Sequence, residues 1–377
     1  MSTDSEAQRI ARLIPLSEAL ARIDALVAPV PQHAAKPRHA VGCVLAEDVL
    51  AATGHPAAAC ALRDGFAIST ETTADASPYA PVPLAVPPRI DVGEILPLGT
   101  DVVAPLDAVA VSNGRYAALT PVVAGEGVLA IDGDIRAGAI LRQAGQHLRS
   151  VDCAVVLAAG IKSVSVRKPR IRLVRARTRH DPVLEPACAL VARAIAAAGG
   201  MVQETSAQPA DADDLRTALG EATSDAVIAL GGTGTGRSDA SVHMLAGLGR
   251  VEMHGIALSP GETAAFGLIA TRPVLLIPGR LDAALAVWLT IGQQLLARLS
   301  GSSEGQPAGT AKLTRKVASP LGMTEVVPVR LSDGMADPLA SGYWPLAANR
   351  GSRWMDSGAP HSEGYPGSAE VVVRTWP

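Results

Sequence analysis

The chain has 377 residues, room for two or three domains, and sets 33 lysines and arginines against 36 aspartates and glutamates, a formal charge of −3. That balance gives no electrostatic case for a nucleic-acid partner or an anionic membrane surface, and an aromatic share of only 3% leaves few rings for base stacking. With 48% of residues apolar, mostly Ala, Val and Leu, the cores suit helices and parallel sheets.

The opening stretch MSTDSEAQRIARLIPLSEAL carries charges throughout and has no apolar run of the secretory kind. Leu16, Leu20, Ile23 and Leu26 recur at helical spacing, with Ser17 placed to cap the helix and prolines closing it. AVGCVLAEDVLAA (40–52) reads as a second amphipathic stretch, ending at Gly54-His55-Pro56. From there to about residue 150, glycines, prolines and short β-branched runs alternate, the pattern of several short strands joined by turns. CAVVLAAGI (153–161) is too short to span a bilayer, so a soluble, cytoplasmic protein with no membrane partner is expected. Cys43, Cys60, Cys153 and Cys188 lie far apart with no C-x-x-C pair, which fits a reduced compartment.

After residue 170 strands and helices alternate. IRLVRA (171–176), DAVIAL (225–230) and RPVLLIPG (272–279) read as strands. LEPACALVARAIAAAGG (184–200), DLRTALGEA (214–222), DASVHMLAGLG (239–249) and DAALAVWLTIGQQLLARLSG (282–301) read as helices. Over about 130 residues this predicts a doubly wound sheet with helices on both faces. SGSSEGQPAGTAK (300–312) has linker composition, and the last 65 residues hold β-type runs, EVVPVRL and AEVVVRTW, around a glycine-rich middle.

In an open α/β sheet, ligands bind beyond the carboxyl ends of the strands, where loops lead into helices. Gly231-Gly232-Thr233-Gly234-Thr235-Gly236 stands there, between the strand 225–230 and a helix starting near Asp239. Its backbone N–H groups can converge on an anion, helped by the helix dipole. No G-K-[ST] follows and the spacing is not G-x-G-x-x-G, so both common nucleotide motifs fail. The alternative is a tight turn in which Ser238 or Asp239 merely caps the helix. His243 and His254 stand alone, without metal-type spacing.

With these neighbours the sequence resembles the molybdopterin molybdenumtransferases, the bacterial MoeA and gephyrin E-domain group. SDAVIALGGTGTGRSD, LGRVEMHGIALSPGETAAFG and PVLLIPGRLDAALAVW are similar to that family's third domain. Upstream, PLSEALARI, GCVLAEDV, LRDGFAI, GEILPLGTDVV and AGIKSVSVRKPRIRLV follow in the family's order. The resemblance implies a multidomain α/β protein in four parts. These are an N-terminal helical and mixed domain (1–55 plus 148–168), an inserted β-rich domain (56–147), a doubly wound MogA-like α/β domain (169–301) and, after a linker (302–312), a small C-terminal β domain (313–377). It also implies an enzyme that takes adenylylated molybdopterin, cleaves off the nucleotide and inserts molybdate into the dithiolene with Mg2+ assisting. A homodimer is implied as well, with the glycine loop of one subunit facing the Asp64 region of the other, and a molybdoenzyme or MogA-type protein as a further partner.

Carried over residue by residue, Gly231, Gly232, Thr233, Gly234, Thr235, Gly236 and Ser238 match the pterin-phosphate loop. Asp239 and Asp64 match the acidic residues tied to activity and to the metal. Asp64-Gly65-Phe66-Ala67 stands for D-G-Y-A, though locally Asp64-Gly65 also reads as a hairpin turn pair, and Asp101 stands where the family has Asp or where a turn precedes a strand. Pro260, Gly261, Pro278 and Gly279 match the family's two proline-glycine loops. Several positions depart from the pattern. T-G-D-E-L becomes ARTRHD (176–181), leaving Asp181 displaced. K-P-G-K-P becomes Ser259-Pro260-Gly261-Glu262-Thr263, so two lysines are lost and a carboxylate is gained where anionic oxygens would lie. Arg63 and Arg280 are new cations, and with Arg237 or Arg179 they could restore anion binding in another geometry or be ordinary surface arginines. These losses also allow a non-enzymatic molybdopterin-binding or assembly protein.

Overall fold

The computed structural model describes residues 8–176, 182–204, 209, 211–236, 239–339, 350–358 and 363–377. At its centre is a six-stranded sheet in the order Met201–Glu204, Arg170–Arg175, Ala226–Leu230, Arg272–Ile277, Ala265–Ile269, Arg250–His254. The first four strands are parallel. Residues alternate faces with a period of two, as strands require. Ile171, Ile228, Leu230, Leu275 and Ile277 pack with the helices Leu16–Leu26, Leu184–Ala197 and Gln293–Ser300 on one face. Val174, Val227, Ala229, Val274 and Leu276 pack with Leu215, Leu219, Val242 and Leu245 of the helices Ala212–Gly220 and Ser241–Leu248 on the other. Helices on both faces are what the alternating text predicts.

The helix stops are legible in the same terms. The Ala-rich helix Leu184–Ala197 ends where Gly199 takes a φ of +83°, with Gly199 N–H donating to Ala196 O and Gly200 N–H to Ile195 O. That is the two-bond stop glycine makes available after a helix. The long helix expected over 282–301 forms, but as two α segments, Leu281–Val287 and Gln293–Ser300, around a π-turn at Trp288–Gly292. A side chain at Gly292 would meet the Trp288 ring at 2.4 Å, so the glycine makes room for the fully buried indole.

Several expectations are corrected. Residues 40–52 do not form an amphipathic helix. Pro37–Ala40 is a single helical turn, and Val44–Leu45 and Val49–Leu50 are short strands that pair with Val164–Arg167 and Ile140–Arg142. Their apolar residues close a small core with Leu148, Cys153 and Val156, so tertiary pairing outweighs the helical spacing. The first helix begins at Leu16 after Pro15, with no side-chain cap, so Ser17 lies within it. The sheet also gains an antiparallel hairpin, Ala265–Ile269 with Arg250–His254 and Arg272–Ile277, which the text does not announce.

Residues 60–129 form short antiparallel sheets, among them Gly65–Ile68 between Arg89–Ile90 and Val102–Ala104. The C-terminal sheet sets Thr324–Ser332 beside Leu258–Ser259 and includes Ala308–Leu313, so part of the segment read as linker is a strand. What precedes that strand is tied down too. Glu304 accepts from Arg142 at 2.9 Å and lies 2.8 Å from His147 Nδ1. Among the described residues no helix is long and apolar enough to cross a membrane.

Phe266 sits at 0% exposure in the core that joins the sheet to the N-terminal helix. Phe266→Ala is expected to lower stability by about 3–5 kcal/mol, read as a fall in the urea midpoint followed by far-UV circular dichroism.

Candidate functional site

The strand Arg170–Arg175 has Met201–Glu204 on one side and Ala226–Leu230 on the other, so the order reverses between Arg170–Arg175 and Ala226–Leu230. Crevices open at such a reversal, beyond the carboxyl ends of the strands. The glycine loop lies there. Gly231 and Gly232 take φ of +97° and +70°, and Gly231 N–H donates to Ile277 O at 2.8 Å. A side chain at Gly232 would meet Ser241 Oγ at 2.3 Å and Ala176 O at 2.8 Å, so the position admits only glycine. Ser241 Oγ donates to Gly231 O at 2.7 Å and Ser241 N–H to Gly232 O at 3.0 Å, fastening the helix Ser241–Leu248 to the end of the strand.

The far half of the loop closes on Asp239. Asp239 Oδ2 accepts Gly236 N–H at 3.0 Å, and Asp239 N–H donates to Gly236 O at 2.9 Å. Asp239 therefore shapes the loop and does not cap the helix, whose preceding residue is Ala240. Arg237 and Ser238 lie outside the described residues, as do Asp181 and Arg179. Beside the loop is a cavity of about 450 Å³ lined by Gln8, Arg9, Thr235, Gly236, Asp239, Ala240 and His243.

Two further loops meet this one. Thr233, buried, lies 2.8 Å from Thr263 Oγ1, and its carbonyl lies 3.2 Å from His254 Nε2. Thr263 brings with it the loop Ser259-Pro260-Gly261-Glu262, whose Ser259–Pro260 bond is cis and whose Gly261 takes a φ of +139°. Pro278 and Gly279 follow the strand whose Ile277 carbonyl holds Gly231. Next to them Arg280 pairs with the buried Asp282 through two bonds, at 3.1 and 2.5 Å. Its guanidinium thus already has a carboxylate. Gln8, Arg9, Ser241 and Thr263 are site neighbours that the sequence does not single out, and His254, which stands alone in it, joins them here through the Thr233 carbonyl. Only Thr263 carried a signal, through its place beside Pro260-Gly261.

Arg63, Asp64 and Asp101 belong to the β-rich unit, and their bonds stay within it. Arg63 donates to Val103 O and pairs with Glu126 at 2.7 Å. Asp64 Oδ1 accepts Val92 N–H at 2.8 Å. Asp101 binds both the N–H and the hydroxyl of Thr70, the local role that its turn context predicts. Gly65 opens a strand, and a side chain there would meet Ala104 O at 2.1 Å, so Asp64-Gly65 is a close strand approach and not a hairpin turn. Phe66 packs edge-on to Tyr116 in the small core of this unit. Among the described residues of one chain, no hydrogen bond or ion pair links Arg63 or Asp64 to the glycine loop.

The carboxylate gained at Glu262 has a neighbour in the C-terminal sheet. Glu325 pairs in parallel register with Ser259 and is 6% exposed, and its Oε2 has no hydrogen-bond partner among the described residues. Burial, and then the charge of Glu262, push its carboxyl above the ordinary value.

A family model of the MoeA N-terminal region (domain I and II) matches residues 14–160, and one of a probable molybdopterin binding domain matches residues 184–298. The chain is 25% identical over 356 residues to "Molybdopterin molybdenumtransferase 2" of Mycobacterium tuberculosis, covering 84% of this chain and 87% of that protein. It is 28% identical over 234 residues to a molybdopterin molybdenumtransferase of Nostoc sp., a match over 58% of this chain and 53% of the relative's length. The fold is similar to that of the molybdopterin biosynthesis moeA protein from Pyrococcus horikoshii OT3, with a TM-score of 0.79 at 22% identity, covering 97% of this chain and all of that one.

Because the Glu325 carboxyl is raised by folding, its ionisation opposes the folded state, and the penalty grows as pH rises through the raised value. Glu325→Gln should therefore raise the melting temperature at neutral and alkaline pH. The gain should vanish as pH falls towards about 4, where the carboxyl is protonated folded or unfolded. Melting curves of both proteins across pH check this, and a difference independent of pH would contradict it.

Proposed function

We propose that this chain, which belongs to the MoeA family, is a molybdopterin molybdenumtransferase of molybdenum cofactor biosynthesis. It binds adenylylated molybdopterin at the glycine loop, releases the nucleotide and passes molybdate to the dithiolene. The observation that carries the reading is the loop Gly231–Gly236 at the sheet's reversal point, closed by Asp239, inside the region matched by the molybdopterin-binding model. A glycine-lined loop running into a helix start presents backbone N–H groups to phosphate oxygens.

The chain's own residues then divide the work. Gly232 and Ser241 fix the direction of the loop, and Thr233 with Thr263 locks it to the Pro260-Gly261 loop. Asp239 holds the Gly236 end and offers a carboxylate to the reacting end of the ligand. Among the described residues no group of three or more His, Cys, Asp or Glu is arranged to hold a metal. A magnesium ion here would draw on Asp239 and on ligand oxygens, the mixed shell this ion favours.

Asp64 completes the site from a second copy of the chain. Among the described residues of its own subunit it accepts one hydrogen bond, from Val92 N–H, and it is exposed just ahead of the strand Gly65–Ile68. In this reading the protein is a homodimer, each of whose two sites takes its glycine loop from one subunit and its Asp64 from the other.

Purified protein supplied with adenylylated molybdopterin, magnesium and molybdate should release nucleotide and form the metallated product. Asp239→Asn keeps an acceptor for Gly236 N–H and removes the charge, and turnover should fall at least about a hundredfold, the scale of one misplaced catalytic group. Asp64→Ala should fall as far alone. When the two inactive chains are refolded together, mixed dimers carry one intact site, so about a quarter of the activity should return. Ligand binding without turnover by the unaltered protein, together with failure to rescue a strain lacking its molybdenumtransferase, would instead make it a binding or assembly protein.

A further inference from the structure

The cavity beside the glycine loop has two linings that come from far away in the sequence. Five of its residues, Thr235, Gly236, Asp239, Ala240 and His243, belong to the loop and the following helix, whereas Gln8 and Arg9 reach it from the start of the chain. Gln8 is bound into the loop by its carboxamide. Its Nε2 donates to Gly232 O at 3.0 Å and to Gly234 O at 2.7 Å, and its Oε1 accepts His243 N–H at 3.2 Å. That last group lies in the first turn of the helix Ser241–Leu248, where N–H groups lack partners within the helix. Ala240 cannot cap it, so a side chain more than two hundred residues away does.

The segment after Gln8 is held as well. Ile10 lies against Gly255, where any side chain would meet its Cγ2 at 2.4 Å. Ile14 N–H donates to Gly255 O at 3.1 Å, and Ile14 O accepts Ala257 N–H at 2.7 Å. Arg9 is thus carried on backbone fixed at both ends, and it is exposed at the cavity. It makes no hydrogen bond or ion pair with any described residue. Arg63 and Arg280 differ, since each already faces a carboxylate, Glu126 and Asp282 respectively. The cavity itself contains Asp239, and Glu262 sits on the adjoining loop. An anionic ligand entering among carboxylates needs a cation beside it.

We propose that Gln8 and Arg9 are part of the ligand site. The Arg9 guanidinium receives a phosphate group seated on the glycine loop, and Gln8 is the positioning residue that holds Arg9, the loop and the helix start in register. The inference rests on the reading of this cavity as a phosphate-bearing ligand's site, and it names the cation that the loop Ser259–Thr263 does not supply.

The test uses the full chain and inorganic pyrophosphate as the probe, titrated by calorimetry at several salt concentrations. Arg9→Ala should weaken binding by about tenfold or more and flatten its salt dependence, because one charge-assisted contact is lost. Arg9→Lys should recover part of the affinity, and the melting temperature of either variant should match that of the unaltered protein, since the side chain is exposed. Gln8→Ala should weaken binding while leaving the salt dependence in place. Equal affinity in Arg9→Ala, or no pyrophosphate binding by the unaltered chain, overturns the inference. Arg9-dependent binding by a protein that does not turn over adenylylated molybdopterin would leave this inference standing and remove the transferase reading. Turnover at equal KM with and without the Arg9 side chain would do the reverse.

Discussion

The site depends on one close approach. Between the end of the strand Ala226–Leu230 and the start of the helix Ser241–Leu248, the backbone must turn back so tightly that Gly232 has a serine hydroxyl on one side and the Ala176 carbonyl on the other. Only a residue without a Cβ, in left-handed conformation, fits there. The serine that crowds it also binds the carbonyl of Gly231, so the same contact that excludes a side chain aims the loop. Everything functional in the α/β unit is arranged from that point: Thr233 towards Thr263, Asp239 back to Gly236, and the cavity beyond them.

The charge pattern follows a different logic from the backbone. The glycines and Asp239 keep the geometry of an anion-binding loop, while the neighbouring loop carries Glu262 opposite a buried Glu325. Burial, with the charge of Glu262 added to it, disfavours the ionised form of Glu325. The raised carboxyl stands where the C-terminal sheet meets the strand Leu258–Ser259, whose loop leads through Thr263 to the glycine loop. The arginines added elsewhere do not simply offset it, because Arg280 is drawn onto Asp282 and Arg63 onto Glu126.

What the text disclosed depended on how local the cause was. The unbroken apolar runs in DAVIAL and RPVLLIPG specified buried strands, and the glycines after 230 specified the loop, because both follow from neighbouring residues alone. The stretch 40–52 misled, since its helical spacing gave way to pairing with strands more than ninety residues on. Asp64-Gly65 looked like a turn, whereas its glycine answers to Ala104 across the sheet. Gln8 had no local signal at all. A glutamine in a charged opening stretch acquires its role only from the carbonyls of Gly232 and Gly234, which no spacing rule connects to it.

That long reach has a consequence for how the protein comes into being. Gln8 is made early, and the groups it holds follow 224 to 235 residues later. At ordinary rates of synthesis this is a wait of roughly ten to forty-five seconds. During it the opening segment has no partner to fold against, and closing so long a loop is an entropic cost met only once the sheet exists. The binding cavity therefore cannot form until the glycine loop has been made, long after the β-rich unit, and a nascent chain stalled before that loop would carry Gln8 and Arg9 and no site.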